Sequence, residues 1–233
     1  MKRSFTNIIR FLMDECLPPI IRDNKYFMYP FYYYAYKGKD IKTAMNFKTL
    51  IYSLSEKEYR DFYENLNSIS RQRDTDLNDA SIKYIIDNLL KTAKNLIDIG
   101  CGNGYFLKQL KNNGLDLFGC DIADTRRDGD YNFVRCSIAH LPFRDKLFDI
   151  VTCSHTLEHI LNPEKAISEL KRITRKQLII TVPCQRYYLY TLDEHVHFFP
   201  YKEKLASLIG IKDSTCKKIR GDWVYIGYLE SFD

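Results

Sequence analysis

No two of the seven cysteines (16, 101, 120, 136, 153, 184 and 216) stand in a C-x-x-C pair, so the chain lacks a zinc knuckle and a dithiol redox couple. An odd, scattered set of this kind reads as reduced thiols, mostly buried, in a cytosolic protein. No run approaches the ~20 apolar residues of a membrane-spanning helix. The opening MKRSFTNIIRFLMDE breaks its apolar stretch with Arg10 and Asp14 and no small-residue cleavage pattern follows, which makes it a poor signal peptide. There is no internal repeat, and no low-complexity tract beyond a cluster of tyrosines. A long basic track for phosphates is also missing: the net charge of +5 lies in residues 1–54, with nine Lys or Arg against four acids, and residues 55–233 carry 26 of each sign.

What is present begins in that basic segment. Tyr26 to Tyr36, YFMYPFYYYAY, has eight aromatic residues in eleven. Basic side chains beside tyrosines suit a lipid headgroup boundary or a polyanion, and equally the ordinary covering of a neighbouring core. Ser55 to Glu58, SEKE, is a capping box that predicts a helix through about Ser68. A second helix is expected from Asp79, with Ile82, Ile85, Ile86, Leu89, Leu90 and Ala93 on one face. From Asn95 short apolar runs (NLIDIG, LDLFGCD, YNFVRCS, FDIVTCS, QLIITVP) alternate with amphipathic segments, the pattern of a parallel sheet with crossover helices. One of those helices has Asn162 as its N-cap and Pro163 at its first position. The tail TCKKIRGDWVYIGYLE reads as an antiparallel hairpin turning at Gly221 and Asp222. The expected architecture is an α/β, doubly wound, Rossmann-like domain over 93–233 with seven mostly parallel strands, preceded by a helical, aromatic-rich cap over 1–92.

LIDIGCGNGYFLKQL places Gly100, Gly102 and Gly104 between a strand and a helix, where main chain must turn tightly or lie bare against a ligand. A dinucleotide fingerprint needs its third glycine one residue later, and a P-loop needs Gly-Lys-Ser/Thr, so a nucleotide diphosphate is disfavoured. Asp121 ends the next strand, seventeen residues beyond Gly104, where a carboxylate can accept both ribose hydroxyls. The ligand these features suit is a ribonucleoside without a phosphate chain.

D-I-G-C-G-N-G, the acid Asp121, LPF at Leu141 to Phe143 and FDIV at Phe148 to Val151 together resemble the class I S-adenosylmethionine-dependent methyltransferases, over about residues 94–230. The resemblance implies S-adenosyl-L-methionine as cofactor. Asp98, Gly100, Cys101, Gly102 and Gly104 would wrap its methionyl part, Asp121 would hold the ribose, and Ile122 would pack on the adenine. Ser137 stands where the family commonly has an acid for the adenine amino group, with the Ile138 backbone as the other candidate, and Ser154 completes the set.

SHTLEHI, Ser154 to Ile160, also matches the H-x-x-E-H spacing of a zinc peptidase class. Such an enzyme presents both histidines from one long helix, whereas Asn162-Pro163 starts a new helix three residues on, so the fold argues against it. The resemblance instead implies that Leu157, Glu158 and His159 are the family's L-E-H at the cofactor and substrate mouth. His159 is the expected base with Glu158 orienting it, and His195 or His197, from DEHVHFFP, is the rival. His155 stands where ubiquinone-type and small-RNA methyltransferases have a first metal-binding Glu. Glu158, His159 and His195 could hold a divalent ion, although the lost carboxylate argues against a hard one. The Asn/Asp-Pro-Pro-Tyr/Phe element of adenine N-methyltransferases is missing, and the Pro183-Cys184 pair follows the wrong strand for a cytosine 5-methyltransferase, so DNA is not the expected partner.

The expected activity is O-methylation of a small-molecule, glycan or lipid-linked acceptor. A metal-assisted RNA 2'-O-methyltransferase and an inactive cofactor-binding subunit are the alternatives. A cytoplasmic protein is expected, with contact at the inner membrane face through residues 1–54 as a further expectation. Nothing in the residues fixes an oligomeric state.

Overall fold

The computed structural model describes residues 12–55, 57–59, 74–126, 130–192 and 194–229. Two compact units divide the chain: Met1–Arg73 with Gln185–Val196, and Asp74–Cys184 with His197–Asp233. The sheet-bearing unit thus begins at Asp74 and not at residue 93. The helix expected from Asp79 belongs with the sheet because it buries Ile82 and Ile85 in the same cluster as Leu96 and Ile150.

The second unit holds seven strands, β1 (Asn95–Ile99), β2 (Asp116–Asp121), β3 (Asn132–Arg135), β4 (Phe148–Ser154), β5 (Thr174–Pro183), β6 (Ser214–Ile219) and β7 (Asp222–Tyr228), in the order β3-β2-β1-β4-β5-β7-β6. β1 to β5 are parallel, and β7 pairs antiparallel with both β5 and β6. This is the expected mostly parallel sheet with a terminal antiparallel hairpin. The strands read as unbroken apolar runs because both faces are covered. Ile97, Ile99, Val151, Cys153, Leu178, Ile180 and Tyr225 join one buried cluster, and the alternate residues Leu96, Ile150, Ile179, Val224 and Ile226 join the other. Helices Pro163–Ile173 and Lys202–Ile209 cover the first face, while Asp79–Asp87 and Tyr105–Gln109 cover the second.

Local chemistry explains the boundaries. Asn162 caps the helix from Pro163 by accepting from Lys165 N (2.9 Å), and Asn78 caps the one from Asp79 by accepting from Ser81 N (2.8 Å). Glu169 and Arg172 on the exposed side of Pro163–Ile173 hold the LPF turn, with Leu141 N donating to Glu169 Oε2 (2.8 Å) and Arg172 donating to the carbonyls of Leu141 (2.9 Å) and Phe143 (2.6 Å). The hairpin turns at Arg220 and Gly221, whose φ angles of 44° and 95° are both left-handed, so Asp222 is the first strand residue and not part of the turn. Cys120 and Cys136 are joined by a disulfide, which corrects the expectation that every thiol is reduced. Parallel pairing of β2 with β3 in the register Asp121↔Arg135 brings the two cysteines within 6.1 Å Cα to Cα.

In the first unit the helix Lys25–Ala35 is capped by Asn24, which accepts from Tyr26 N and Phe27 N. The tyrosine cluster divides into a buried set and an exposed set. Met28, Tyr32, Ala35 and Tyr36 form a core with Met13, Ala44, Met45 and Tyr188, while Tyr26, Tyr29, Tyr33 and Tyr34 are exposed. Segment 185–196 is tied in by Tyr32 donating to Thr191 O (2.6 Å) and Tyr36 to Glu194 Oε1 (2.5 Å). The expected capping box is present, with Ser55 N donating to Glu58 Oε2 (2.8 Å); the rest of that helix, to Ser68, lies outside the described residues. Among the described residues no helix is long and apolar enough to cross a membrane.

Candidate active site

Strand order reverses between β1 and β4, so a crevice opens at their carboxyl ends, where Gly100–Gly104 and Ser154–His159 begin. Gly100 N and Cys101 N both donate to Cys120 O (2.7 and 3.1 Å), clipping the loop to the end of β2. Asp121 then accepts from Gly102 N (2.8 Å) and Ala123 N (3.3 Å). All three loop glycines have positive φ, but for different reasons. A Cβ on Gly100 would meet Thr156 Oγ1 at 2.1 Å, and one on Gly104 would meet the Tyr131 hydroxyl at 2.3 Å. Only Gly102 has nothing within 4 Å. The sequence pattern suggested ligand over the whole turn; the bare main chain that faces open space is at Gly102, and the other two glycines make room for the protein's own side chains.

Asp98, at the penultimate position of β1, is buried, and burial raises its carboxyl to about 7; the Thr152 hydroxyl, donating at 2.6 Å, works against that rise, and the Asp121 charge adds to it. Ile138 is buried beside the loop end of β3, Ser137 accepts from Ala139 N (3.3 Å), and the Ile122 carbonyl accepts from Arg135 Nε (2.7 Å). The disulfide sits immediately before Asp121 and Ser137.

At the end of β4 the chain enters an unusual conformation. His155 has φ 50°, its N–H donates to Thr181 O (2.9 Å), and a 3-10 turn follows at Leu157–His159. Its ring lies between two fully buried carboxylates, Nδ1 at 3.3 Å from Glu158 Oε1 and Nε2 at 3.5 Å from Asp222 Oδ1. Asp222 Oδ2 in turn accepts from Asn78 Nδ2 (2.6 Å) and Ser81 Oγ (3.1 Å). Burial pulls the imidazolium pKa down, but the Asp222 charge and the contacts to both carboxylates outweigh it and lift the value to about 10. His155 is therefore an imidazolium at neutral pH, unable to act as a base, and it stands between the carboxyl groups of Glu158 and Asp222.

His197 has the opposite character. Burial lowers its pKa, with the backbone of Leu161 and Ile160 opposing, and its buried Nε2 has no hydrogen-bond partner. Its N–H donates to Glu158 O (2.9 Å), which places it on the L-E-H turn. His159 lies in that turn, with its N–H on Thr156 O (3.0 Å). His195 belongs to the other unit, where Nδ1 is 2.6 Å from Gln185 Oε1 and Gln185 Nε2 donates to the Tyr188 hydroxyl (3.2 Å). Cys184 Sγ lies 3.7 Å from Pro200 O.

Asp222, Asn78 and Ser81 are the residues that sequence reading missed, because each was absorbed into a turn or a helix start. Strand polarity carries the missing signal: in an antiparallel partner of β5, the first residue falls at the carboxyl edge of the parallel strands, and Asp222 indeed pairs with Pro183.

Residues 97–180 match the family model described as a methyltransferase domain. The chain is 28% identical over 100 residues to a demethylmenaquinone methyltransferase from Paenarthrobacter aurescens, covering 40% of each chain. It is 28% identical over 101 residues to a ubiquinone biosynthesis O-methyltransferase from Coxiella burnetii, covering 39% of this chain and 43% of that protein. The matched region thus spans about two-fifths of the length of these curated relatives. Among solved structures, a SAM-dependent methyltransferase from Archaeoglobus fulgidus superposes with a TM-score of 0.53 at 20% identity, over 64% of this chain and 92% of that one, which shows the fold. Sheet order, glycine loop and matched model agree: residues 97–180 match a methyltransferase domain, set in a sheet with the fold of the S-adenosylmethionine-dependent methyltransferases.

Proposed function

We propose that the protein transfers a methyl group from S-adenosylmethionine to an oxygen of a small-molecule, glycan or lipid-linked acceptor. The observation that carries this reading is the pairing of an open glycine, Gly102, with Asp121 at the same sheet edge as Glu158, His155 and His197. The name of one relative, a ubiquinone biosynthesis O-methyltransferase, supports transfer to an oxygen of a small acceptor.

The residues present fit the cofactor. Gly102 offers main chain that no side chain covers, Asp121 offers a carboxylate at the ribose position, and Ile122 and Ile138 offer apolar contact for a base. When bound, the cofactor supplies a methyl group already activated by its sulfonium, so the protein's work is positioning and handling one proton. Glu158, in contact with the His155 imidazolium, orients the acceptor hydroxyl. A neutral histidine takes the proton; His197 suits this role because burial disfavours its charged form and Nε2 can accept, and His159 of the L-E-H turn is the alternative. A divalent ion at Glu158, His159 and His195 is the less favoured reading, since Glu158 Oε1 already engages the His155 imidazolium.

The exposed Tyr26, Tyr29, Tyr33 and Tyr34, beside the basic residues of 1–54, suit a peripheral lipid contact. Calorimetry with S-adenosylhomocysteine tests the cofactor site, and absence of binding overturns the proposal. Turnover with labelled cofactor, hydroquinones and glycosyl phospholipids tests the acceptor class. His197→Ala is expected to abolish turnover with unchanged cofactor affinity; turnover that survives there and fails in His159→Ala moves the base to His159. Activity unaffected by chelator removes the metal reading, and failure of residues 1–73 within the full chain to drive flotation with anionic liposomes removes the membrane contact.

A further inference from the structure

Cys120 and Cys136 are joined at the ends of β2 and β3, one residue before Asp121 and Ser137. This bond and the glycine loop both lie within the second unit. The Cys120 carbonyl accepts from Gly100 N (2.7 Å) and Cys101 N (3.1 Å), so the position of Cys120 sets the start of the glycine loop. Cys136 N donates to Asp121 O (2.9 Å), and Asp121 Oδ2 accepts from Gly102 N (2.8 Å). The segment between the cysteines also carries Tyr131, whose hydroxyl would stand 2.3 Å from a Cβ on Gly104. The two sulfurs thus close a loop that holds the glycine turn through both Asp121 and Tyr131.

β3 is an edge strand of four residues, paired only with β2, and none of its residues is buried. Such a strand has little packing to hold it, and the disulfide adds a tether to its backbone ladder. Without the bond, Asp121 and Tyr131 sample more positions, and a ligand must meet the entropy of ordering them. Access to the bond is one-sided. Cys120 is 1% exposed whereas Cys136 is half-buried, so an incoming thiolate meets Cys136 Sγ first. The neighbouring thiols compete poorly: Cys101 and Cys153 are buried, and burial pushes both well above the ordinary thiol range.

We propose that the Cys120–Cys136 pair is a redox switch on S-adenosylmethionine binding, with high affinity in the disulfide form and low affinity in the dithiol form. This rests on the reading of the Gly102 and Asp121 crevice as the cofactor site. The reductant is a dithiol. Its thiolate attacks Cys136 Sγ, the S–S bond breaks, and Cys120 leaves as a thiolate that takes up a proton. The second thiol of the reductant then displaces Cys136, which leaves in the same way. Two electrons have passed to the protein, and the reductant ends as a disulfide.

The test uses the full chain, oxidised with glutathione disulfide or reduced with dithiothreitol and titrated calorimetrically with S-adenosylhomocysteine. Differential alkylation with mass spectrometry reads the state of each cysteine on the same samples. The oxidised form is expected to bind about fivefold more tightly or better, the lower end of ordinary coupling between two sites, and reoxidation is expected to restore that affinity. Linkage makes the effect reciprocal: S-adenosylhomocysteine is expected to shift the pair toward disulfide by the same factor in dithiothreitol redox buffers. A brace with no bearing on the crevice would move neither reading. Cys136→Ser is expected to bind like the reduced wild type and to be indifferent to dithiothreitol; should it not fold, the reversible wild-type comparison decides. Equal affinity in both states, tighter binding by the reduced form, or Cys120 and Cys136 that alkylate freely after oxidation overturns the inference. Absence of S-adenosylhomocysteine binding in both states overturns the cofactor reading with it, whereas binding that persists and ignores the reductant overturns the switch alone.

Discussion

Replacing His155 by Asn should reveal how much the buried charge triad contributes. Asn tolerates the left-handed φ of 50°, so the substitution removes the imidazolium without adding backbone strain. The ring is 10% exposed and stands between carboxylates at 3.3 and 3.5 Å, so solvent screening is small. Its pKa rises from the ordinary 6.5 to about 10. At 1.36 kcal/mol per pKa unit, protonation then contributes about 4 kcal/mol to stability at pH 7, an upper figure that agrees with the roughly 3–5 kcal/mol lost when one partner of a buried ion pair is removed. A folded-state pKa above the unfolded value gives stabilisation that is complete below about pH 6.5 and is lost as pH rises through about 10. Urea denaturation from pH 6 to pH 10, followed by circular dichroism, should show wild type far above His155→Asn near neutrality and the gap closing toward pH 10. Other groups that titrate in this window are common to both proteins and cancel in the difference. A gap that stays constant with pH, or a variant as stable as wild type at pH 7, would refute the triad as a source of stability.

Further outcomes concern the loop glycines and two buried carboxyl groups. Gly100→Ala places a Cβ 2.1 Å from Thr156 Oγ1 at φ 77° and should lower Tm steeply, whereas Gly102→Ala meets nothing within 4 Å and should cost only the roughly 1–2 kcal/mol of a left-handed residue while sharply reducing S-adenosylhomocysteine affinity. Asp98 has a carboxyl raised to about 7, so its ionisation is destabilising as pH climbs from 3.8 through 7, and Asp98→Asn should raise Tm at pH 8 relative to wild type with little change at pH 4. Asp149, fully buried at the opposite end of β4, accepts from Lys94 N (2.8 Å) and Arg175 Nε (2.5 Å); burial pushes its pKa up, these contacts outweigh it, and Asp149→Ala should reduce urea stability by about 3 kcal/mol without altering ligand binding.

The sheet was legible in the sequence because both its faces are buried: apolar runs such as FDIVTCS and QLIITVP are long enough to exclude a half-exposed strand, and Asn162-Pro163 marks a helix start by capping chemistry that is wholly local. The glycine loop and Asp121 were legible because each is a local feature of a strand end, the loop directly after β1 and the acid closing β2. What was not legible needed distant pairing. Segment 185–196 joins the first unit through Tyr32 and Tyr36, across more than 150 residues, and nothing in its own composition announces that. The division of the tyrosine cluster into buried and exposed faces waits on that same packing.

The histidines illustrate the limit most clearly, since their protonation is decided by residues remote in sequence. H-x-x-E-H suggests a pair of equivalent ligands, yet Asp222 makes its first histidine, His155, a fixed cation, while burial lowers the pKa of His197, which lies outside the motif. Topology explains why Asp222 can do this. β7 runs antiparallel to β5, so the hairpin turn at Arg220–Gly221 is delivered to the edge where the parallel strands end, and the first strand residue enters the polar cluster from the side opposite Glu158. Asn78 and Ser81 then fix the far oxygen of that carboxylate from the start of the helix Asp79–Asp87. Three segments with no local relation thereby set one side chain's charge. On this reasoning, Asp222→Asn should return the His155 pKa toward the ordinary range, a change that a two-dimensional NMR titration of the imidazole detects directly, and a ring that still fails to titrate below pH 9 in that variant would show that Glu158 alone holds the charge.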